Sequence, residues 1–181
     1  IVQYSWVSII DSAEFNGEKW YYINEEPDEY VRADWVHLGW PSRFQGVALP
    51  EQPGAPFAFV LSGNQPALAP NGAANADVPA LVRYNVVTIF ETQTFGEINW
   101  YRVGDNQWVP QTVVGVVTVD LPPEGVGPGE RWVEVDLLEQ TVAAYEGPRM
   151  VYATLASTGT KNHPTVPGLF RVWAKLEKGN M

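Results

Sequence analysis

An internal repeat constrains this chain more than any other feature of its sequence. Residues 2–23 and 82–103 align without a gap at an offset of 80. After a two-residue gap the match resumes, with Tyr30-Val31 aligned to Trp108-Val109. Because a repeated sequence folds into a repeated structural unit, we expect the same small β-unit twice. Seven of the first 22 aligned pairs are identical: Val2/Val82, Tyr4/Tyr84, Val7/Val87, Ile9/Ile89, Phe15/Phe95, Trp20/Trp100 and Tyr21/Tyr101.

Each copy has the alternation and the turn residues of a β-meander. An apolar strand is followed by a polar turn, a Trp-Tyr strand, a second turn and an aromatic-Val strand. The second turn covers residues 24–28 in the first copy and 104–106 in the second, and its Asn and Gly residues tolerate positive φ. The pattern resembles the bacterial SH3-like repeat, a small barrel. The resemblance predicts SH3-like repeats at residues 1–40 and 81–120, the first truncated at its start.

The repeated aromatic residues have two interpretations. Trp20, Tyr21, Trp100 and Tyr101 lie in alternating apolar patterns, so they are expected to pack in the cores of the two repeats. Aromatic residues beside turns are better candidates for contact with a sugar or a peptide. These candidates are Tyr30 and Trp108.

Residues 41–80 connect the two repeats and are rich in Pro and Gly. Proline fixes φ and removes a backbone donor, so regular helix is not expected here. Residues 57–61 are predicted to form one short strand, and residues 71–77 a surface loop. The segment, with Trp40 just before it, is expected to pack over the two barrels through four aromatic side chains: Trp40, Phe44, Phe57 and Phe59.

The remainder of the chain also has a β pattern. Residues 113–119 are predicted to form a strand that closes the second repeat, and the Pro- and Gly-rich residues 121–130 a linker. Four strands are then predicted, at residues 132–137, 141–145, 150–157 and 170–175, with a turn at 146–149. In the first of them Trp132, Val133, Val135 and Leu137 alternate with Glu134 and Asp136. No segment predicts a helix, and the fold class expected is all-β.

The last 50 residues carry a combination of motifs. They are the strand pair Val133-Glu-Val-Asp-Leu-Leu-Glu-Gln140-Thr-Val-Ala-Ala-Tyr145, then Ala156-Ser157-Thr158-Gly159, then Thr165-Val-Pro-Gly168-Leu-Phe170-Arg-Val172. This series resembles the opening of an L,D-transpeptidase catalytic domain of the YkuD type, with Val166 where that family usually has proline. The resemblance implies that residues 131–181 are the first part of such a domain, a β-sandwich. It also implies a bacterial cell-envelope location, with peptidoglycan as the partner.

The resembled family performs acyl transfer on peptidoglycan stem peptides with a cysteine thiolate activated by histidine. Those residues belong to a later Ser-His-Gly-x-Cys element. The printed chain has no cysteine and ends at Met181. No catalytic residue is therefore assigned, the chain is expected to be inactive by itself, and both ends are interpreted as cuts in a longer reading frame.

Other chemistry has weak support in the sequence. Ser157 and His163 could be two members of a Ser-His-Asp triad, but no oxyanion hole is evident. Neither His37 nor His163 has a second ligand at metal-binding spacing, so no metal and no cofactor is predicted. Two sets of acidic residues are interpreted as solvated surface: Glu124 with Glu130, and the run from Glu25 to Glu29.

Composition limits the partners. The net charge is −10 and the sequence pI about 4.5, which argues against nucleic acid and against a basic membrane-binding patch. No apolar run is long enough to span a bilayer. Two alternatives to the enzyme fragment remain: a non-catalytic wall-binding or scaffold module, and an unrelated all-β interaction protein.

Overall fold

The computed structural model describes residues 7–25, 27–39 and 42–175, and within them the protein is all-β, as predicted. Among these described residues the only helical elements are two short 3-10 turns, Ala33–Trp35 and Gln111–Val113. The chain divides into two compact units, one up to Arg43 and one from Phe44 onward. The thirteen strands are β1 Asp11–Phe15, β2 Glu18–Glu25, β3 Asp28–Arg32, β4 Val47–Ala48, β5 Phe57–Val60, β6 Val86–Thr88, β7 Glu91–Phe95, β8 Ile98–Gly104, β9 Gln107–Pro110, β10 Val114–Val117, β11 Arg131–Asp136, β12 Thr141–Glu146 and β13 Arg149–Leu155.

The strands form four antiparallel sheets. The first unit contains one sheet, in the order β1-β2-β3. The second unit contains three sheets, with the orders β7-β8-β9, β10-β5-β6 and β11-β12-β13-β4. None of the four closes into a barrel within the described residues. The closed SH3-like geometry and the proposed division of residues 44–181 into domains therefore remain predictions.

The sequence repeat is a structural repeat. In the first meander Asp11 pairs with Tyr22, and in the second Glu91 pairs with Arg102, so the registers differ by the same offset of 80. Each middle strand has an irregularity at the same place, between Tyr22 and Asn24 and between Arg102 and Gly104. A 3-10 turn follows the third strand of each copy. We call the β1-β2-β3 meander the first repeat and the β7-β8-β9 meander the second repeat; Val2 and Tyr4 lie outside the described residues.

Strand β5 is the centre of the second unit. All four of its residues are buried, and alternate side chains point to opposite faces of a strand. Phe57 and Phe59 pack with the inner face of the four-stranded sheet, against residues such as Tyr145 and Met150. Ala58 and Val60 pack with the second repeat instead, in a core that includes Ile89, Tyr101 and Val109. One short strand thus contributes to two hydrophobic cores.

This arrangement confirms part of what was predicted for residues 41–80. Residues 57–60 do form a strand, and Phe44 stacks edge-on against Phe59 with ring centroids 5.4 Å apart. These side chains do not lie over two barrels, because β5 inserts between two layers and pairs with β6 and β10. Strand β10 pairs with β5, and not with a strand of the second repeat as its predicted closing role required. Trp40 lies outside the described residues.

The edge strand β11 shows its apolar face to solvent. Val133, Val135 and Leu137 are exposed, whereas Glu134 and Asp136 are half-buried on the face toward β10. Trp132 shares that inner face and stacks on Tyr145 at 3.9 Å between ring centroids. The alternation from Val133 to Leu137 was therefore predicted correctly, but the grouping of Trp132 with the valines was wrong, since it lies on the face of Glu134 and Asp136. Sequence pattern does not say which of two alternating sets is covered.

The predicted strand at residues 170–175 is wrong. This segment has no strand pairing within the described part of the chain, and Phe170, Val172 and Trp173 are 69 %, 80 % and 93 % exposed. A strand needs a hydrogen-bonded neighbour, and its apolar pattern alone does not provide one. Arg171 is nevertheless fixed, because its guanidinium contacts the Glu130 carboxylate at 3.0 Å and donates to the Gly125 carbonyl oxygen at 2.8 Å.

Candidate functional site

The two aromatic residues that the sequence suggested as ligand contacts differ in solvent exposure. Tyr30 is 52 % exposed, and its ring lies 4.9 Å from that of Tyr22. Trp108 is only 7 % exposed, and its backbone pairs with Ala67 in both directions at 2.8 Å. The assignment of Trp108 to ligand contact is therefore wrong: it is a core residue, since the loop after β5 folds back onto strand β9. Tyr30 stays a candidate.

The repeated Trp-Tyr pairs are mainly structural, as predicted. Tyr21 and Tyr101 are each 8 % exposed. Trp20 and Trp100 are partly buried, and the Nε1–H group of each is buried without an acceptor within the described residues. An indole N–H usually finds a partner when it is buried. The same unpaired donor in both copies shows how closely the repeats share their side-chain packing.

The structure does not bring the possible Ser-His pair together. Ser157 and His163 are both exposed, and no hydrogen bond joins their side chains. His37 is exposed on the first unit. Within residues 7–25, 27–39 and 42–175 no group of three or more His, Asp or Glu side chains has the geometry of a metal site.

The Ser157-Thr158-Gly159 segment is held by a side-chain clamp that sequence reasoning did not identify. Gln140 lies at the turn between β11 and β12 with φ of 57°. Its side-chain oxygen accepts the Thr158 backbone N–H at 2.9 Å, and its Nε2 donates to the Thr158 hydroxyl oxygen. The Gln140 carbonyl oxygen also accepts the Ala156 N–H at 2.8 Å. A distant turn thereby fixes the end of β13.

A second bond closes the loop that follows. The Gly159 N–H donates to the Thr165 hydroxyl oxygen at 2.8 Å. A Cβ at Gly159 would lie 2.2 Å from the His163 carbonyl oxygen, so only glycine fits this close backbone approach. The three motif pieces around Gln140, Ser157-Thr158-Gly159 and Thr165 are thus linked by hydrogen bonds into one substructure.

The second polar feature is a carboxyl cluster on the inner face of β11. The Tyr145 hydroxyl donates to Glu134 Oε2 at 3.0 Å and accepts the Asp120 backbone N–H at 3.2 Å. Burial, a hydrogen bond with the Asp120 side chain and the nearby charge of Asp136 raise the pKa of Glu134 to about 7, although the bond from Tyr145 acts in the other direction. Burial also raises the pKa of Tyr145 to about 12.

This cluster is better suited to holding elements together than to catalysis. The depression beside it, lined by residues including Glu134, Asp136 and Thr141, has room for about one water molecule. A carboxyl group with a pKa near neutrality can act as a general acid or base only where a substrate reaches it. Here it joins the end of β10 to the edge strand β11. The alternation Glu134-Val135-Asp136 was the only sign of this cluster in the sequence. It does not indicate which face of the strand is buried.

Comparisons with known proteins identify no relative of this chain: no family model, no curated protein and no solved structure matches it. The described residues contain no helix with the length and hydrophobicity that a bilayer crossing requires.

Proposed function

We propose that this chain is the N-terminal portion of a bacterial cell-envelope L,D-transpeptidase, in which two SH3-like repeats precede the first strands of a YkuD-type catalytic domain. The whole enzyme would remodel or cross-link peptidoglycan by cysteine acyl transfer. The printed chain carries no cysteine, and so has no thiolate nucleophile of its own.

One observation carries this proposal. The motif residues on which the resemblance depends lie in three separate pieces, and hydrogen bonds of Gln140 to Thr158 and of Gly159 to Thr165 join these pieces across 18 and 6 positions of the chain. Motif residues that cooperate in a defined geometry are better support than a pattern match alone. The clamp supports the series as a framework that orders the end of β13, without assigning it a catalytic role.

A non-catalytic wall-binding module is the second candidate. It is favoured by the Tyr30 ring of the first repeat, which is 52 % exposed and thus open to contact with a sugar or a peptide. In this alternative the repeats bind peptidoglycan and residues 131–181 are an ancillary β-unit.

The two candidates are separated by the encoding locus and by a binding assay. Reading the locus beyond codon 181 should reveal a histidine and a Ser-His-Gly-x-Cys element within about one domain length. A stop codon directly after Met181 would reject the transpeptidase. Co-sedimentation of the chain with purified peptidoglycan sacculi then tests wall binding: we expect Tyr30→Ala to reduce it and Phe95→Ala, a change at another exposed aromatic residue, to leave it intact. Absence of both the element and the binding rejects both candidates.

A further inference from the structure

We propose that the first repeat binds an extended, positively charged segment of a second protein, which adds as a β-strand along residues 7–9. We call residues 7–9, with the Val7 and Ile9 side chains, the open edge. This inference is independent of the proposed enzyme family, because it depends only on a comparison of the two repeats.

The second repeat shows what covers this position. Residues 86–88 form β6 and pair antiparallel with β5. Ile89 directly follows; its N–H donates to the Pro56 carbonyl oxygen at 2.8 Å, and its side chain is 6 % exposed in the core that Ala58 and Val60 share. A strand thus supplies both a backbone partner and two small apolar side chains.

The first repeat makes the same backbone hydrogen bond at this position, and in the described part of the chain no strand equivalent to β5 pairs with it. The Ile10 N–H donates to the Tyr22 carbonyl oxygen at 2.8 Å, as the equivalent Phe90 N–H does to Arg102 at 2.9 Å, so residues 9 and 10 are oriented like residues 89 and 90. No backbone acceptor for the Ile9 N–H is present in the described ranges. Val7 and Ile9 are 37 % and 39 % exposed. Residues 7–10 directly precede β1, and a backbone with unpaired N–H groups beside a sheet is a template for an added strand.

The negative charge of the first repeat indicates that the added segment is positively charged. Residues 7–39 carry eight carboxylates and two cations, whereas the equivalent residues 87–117 of the second repeat carry three and one. Opposite charge on a partner speeds encounter and gives specificity. The segment that fits therefore has Ala- or Val-sized residues at alternate positions, as in β5, and Lys or Arg on either side of them.

A direct test uses the 181-residue chain and a fluorescein-labelled peptide, Lys-Lys-Pro-Phe-Ala-Phe-Val-Leu-Lys-Lys, which places residues 56–61 of this chain between lysines. Fluorescence anisotropy should show binding at about 50 mM NaCl that weakens at least about fivefold at about 500 mM, because salt screens the attraction. The same peptide flanked by glutamates should bind at least about tenfold more weakly. In amide NMR spectra of the labelled chain, the largest shifts should fall on residues 7–10 and on the adjoining Tyr21.

Two substitutions with the same charge change locate the site. Ile9→Lys, on the open edge, should weaken binding about tenfold or more, whereas Phe15→Lys, at the 68 % exposed hairpin tip of the same repeat, should change it less than about twofold. Val7→Lys is a second edge variant if Ile9→Lys disturbs the circular dichroism spectrum. Equal effects of the edge and tip variants would mean nonspecific charge attraction. That result, shifts centred on the second repeat, self-association of the chain through residues 7–9, or no binding at low salt would each overturn the proposal.

Discussion

The two repeats share the same strand register, but equivalent side chains in them differ in solvent exposure. Ile9 and Ile89 occupy the same position, but they are 39 % and 6 % exposed; Tyr30 and Trp108 also correspond, at 52 % and 7 %. The hairpin-tip residues Phe15 and Phe95, in contrast, are exposed in both copies, at 68 % and 54 %. The difference teaches that the meander determines its own register and turns and buries Tyr21 and Tyr101 alike, whereas Ile89 and Trp108 are buried only because β5 and the loop after it pack on the second repeat.

The largest expected effect compares the aromatic residues of the third strands. Trp108→Ala removes a buried indole and should lower the free energy of unfolding of the second unit by about 3–5 kcal/mol. Tyr30→Ala removes a half-exposed ring with one aromatic neighbour and should cost about 0.5–1 kcal/mol in the first unit. Urea unfolding followed by resolved amide signals of each unit measures both. Equal losses would mean that the repeats do not differ as their exposures indicate.

The isoleucine pair sharpens the same comparison. Ile89→Ala should cost about 2–4 kcal/mol because it leaves a cavity beneath β5. Ile9→Ala should cost less than about 1 kcal/mol, since the Ile9 side chain is 39 % exposed. The same urea titration applies. A loss at Ile9 as large as that at Ile89 would indicate that the first repeat is covered in solution.

The third prediction concerns the pH dependence of the stability of the second unit, which contains Glu134. Because the folded-state pKa of Glu134 is raised to about 7, the folded state binds this proton more tightly than the unfolded state. Its stabilising contribution is complete below about pH 4, near the unfolded pKa, and is lost as pH rises through about 7.

We expect this contribution to be about 1–2 kcal/mol after allowance for solvent screening of the partly exposed carboxyl group. Urea midpoints of the second unit between pH 4 and pH 8 should fall, and Glu134→Gln should flatten the slope, whereas Glu97→Gln at an exposed turn should not. An unchanged slope in Glu134→Gln would assign the pH dependence to other groups.

The smallest effect is expected at the hairpin tips. Phe15→Ser and Phe95→Ser should each change the free energy of unfolding by no more than about 0.5 kcal/mol, because both rings are exposed. Thermal unfolding by circular dichroism is sufficient. A clear loss in one tip alone would reveal a packing contact specific to that copy.

Local features of the fold were accessible from sequence. The offset of 80, the positive φ at Asn106 and the strand at residues 57–60 depend on neighbouring residues or on simple alternation, so they were predicted correctly. The role of β5 as a strand shared by two cores was not predicted, since it requires pairing with residues far away in the chain. Glu134 was missed for a related reason: alternation separates two faces but does not identify the covered one. The Gln140 clamp joins a turn to a strand end 18 residues away, and no local pattern reports that.

The sharing of β5 also determines how the chain can be dissected. From the sequence, truncating the chain within residues 121–130, the predicted Pro- and Gly-rich linker, would be expected to separate two domains. It would instead remove β11, β12 and β13 from Phe57 and Phe59, and leave two aromatic side chains of a fully buried strand in water. Exposed apolar strands of this kind aggregate. Expression fragments should therefore keep residues 44–175 intact, and separate only before Phe44.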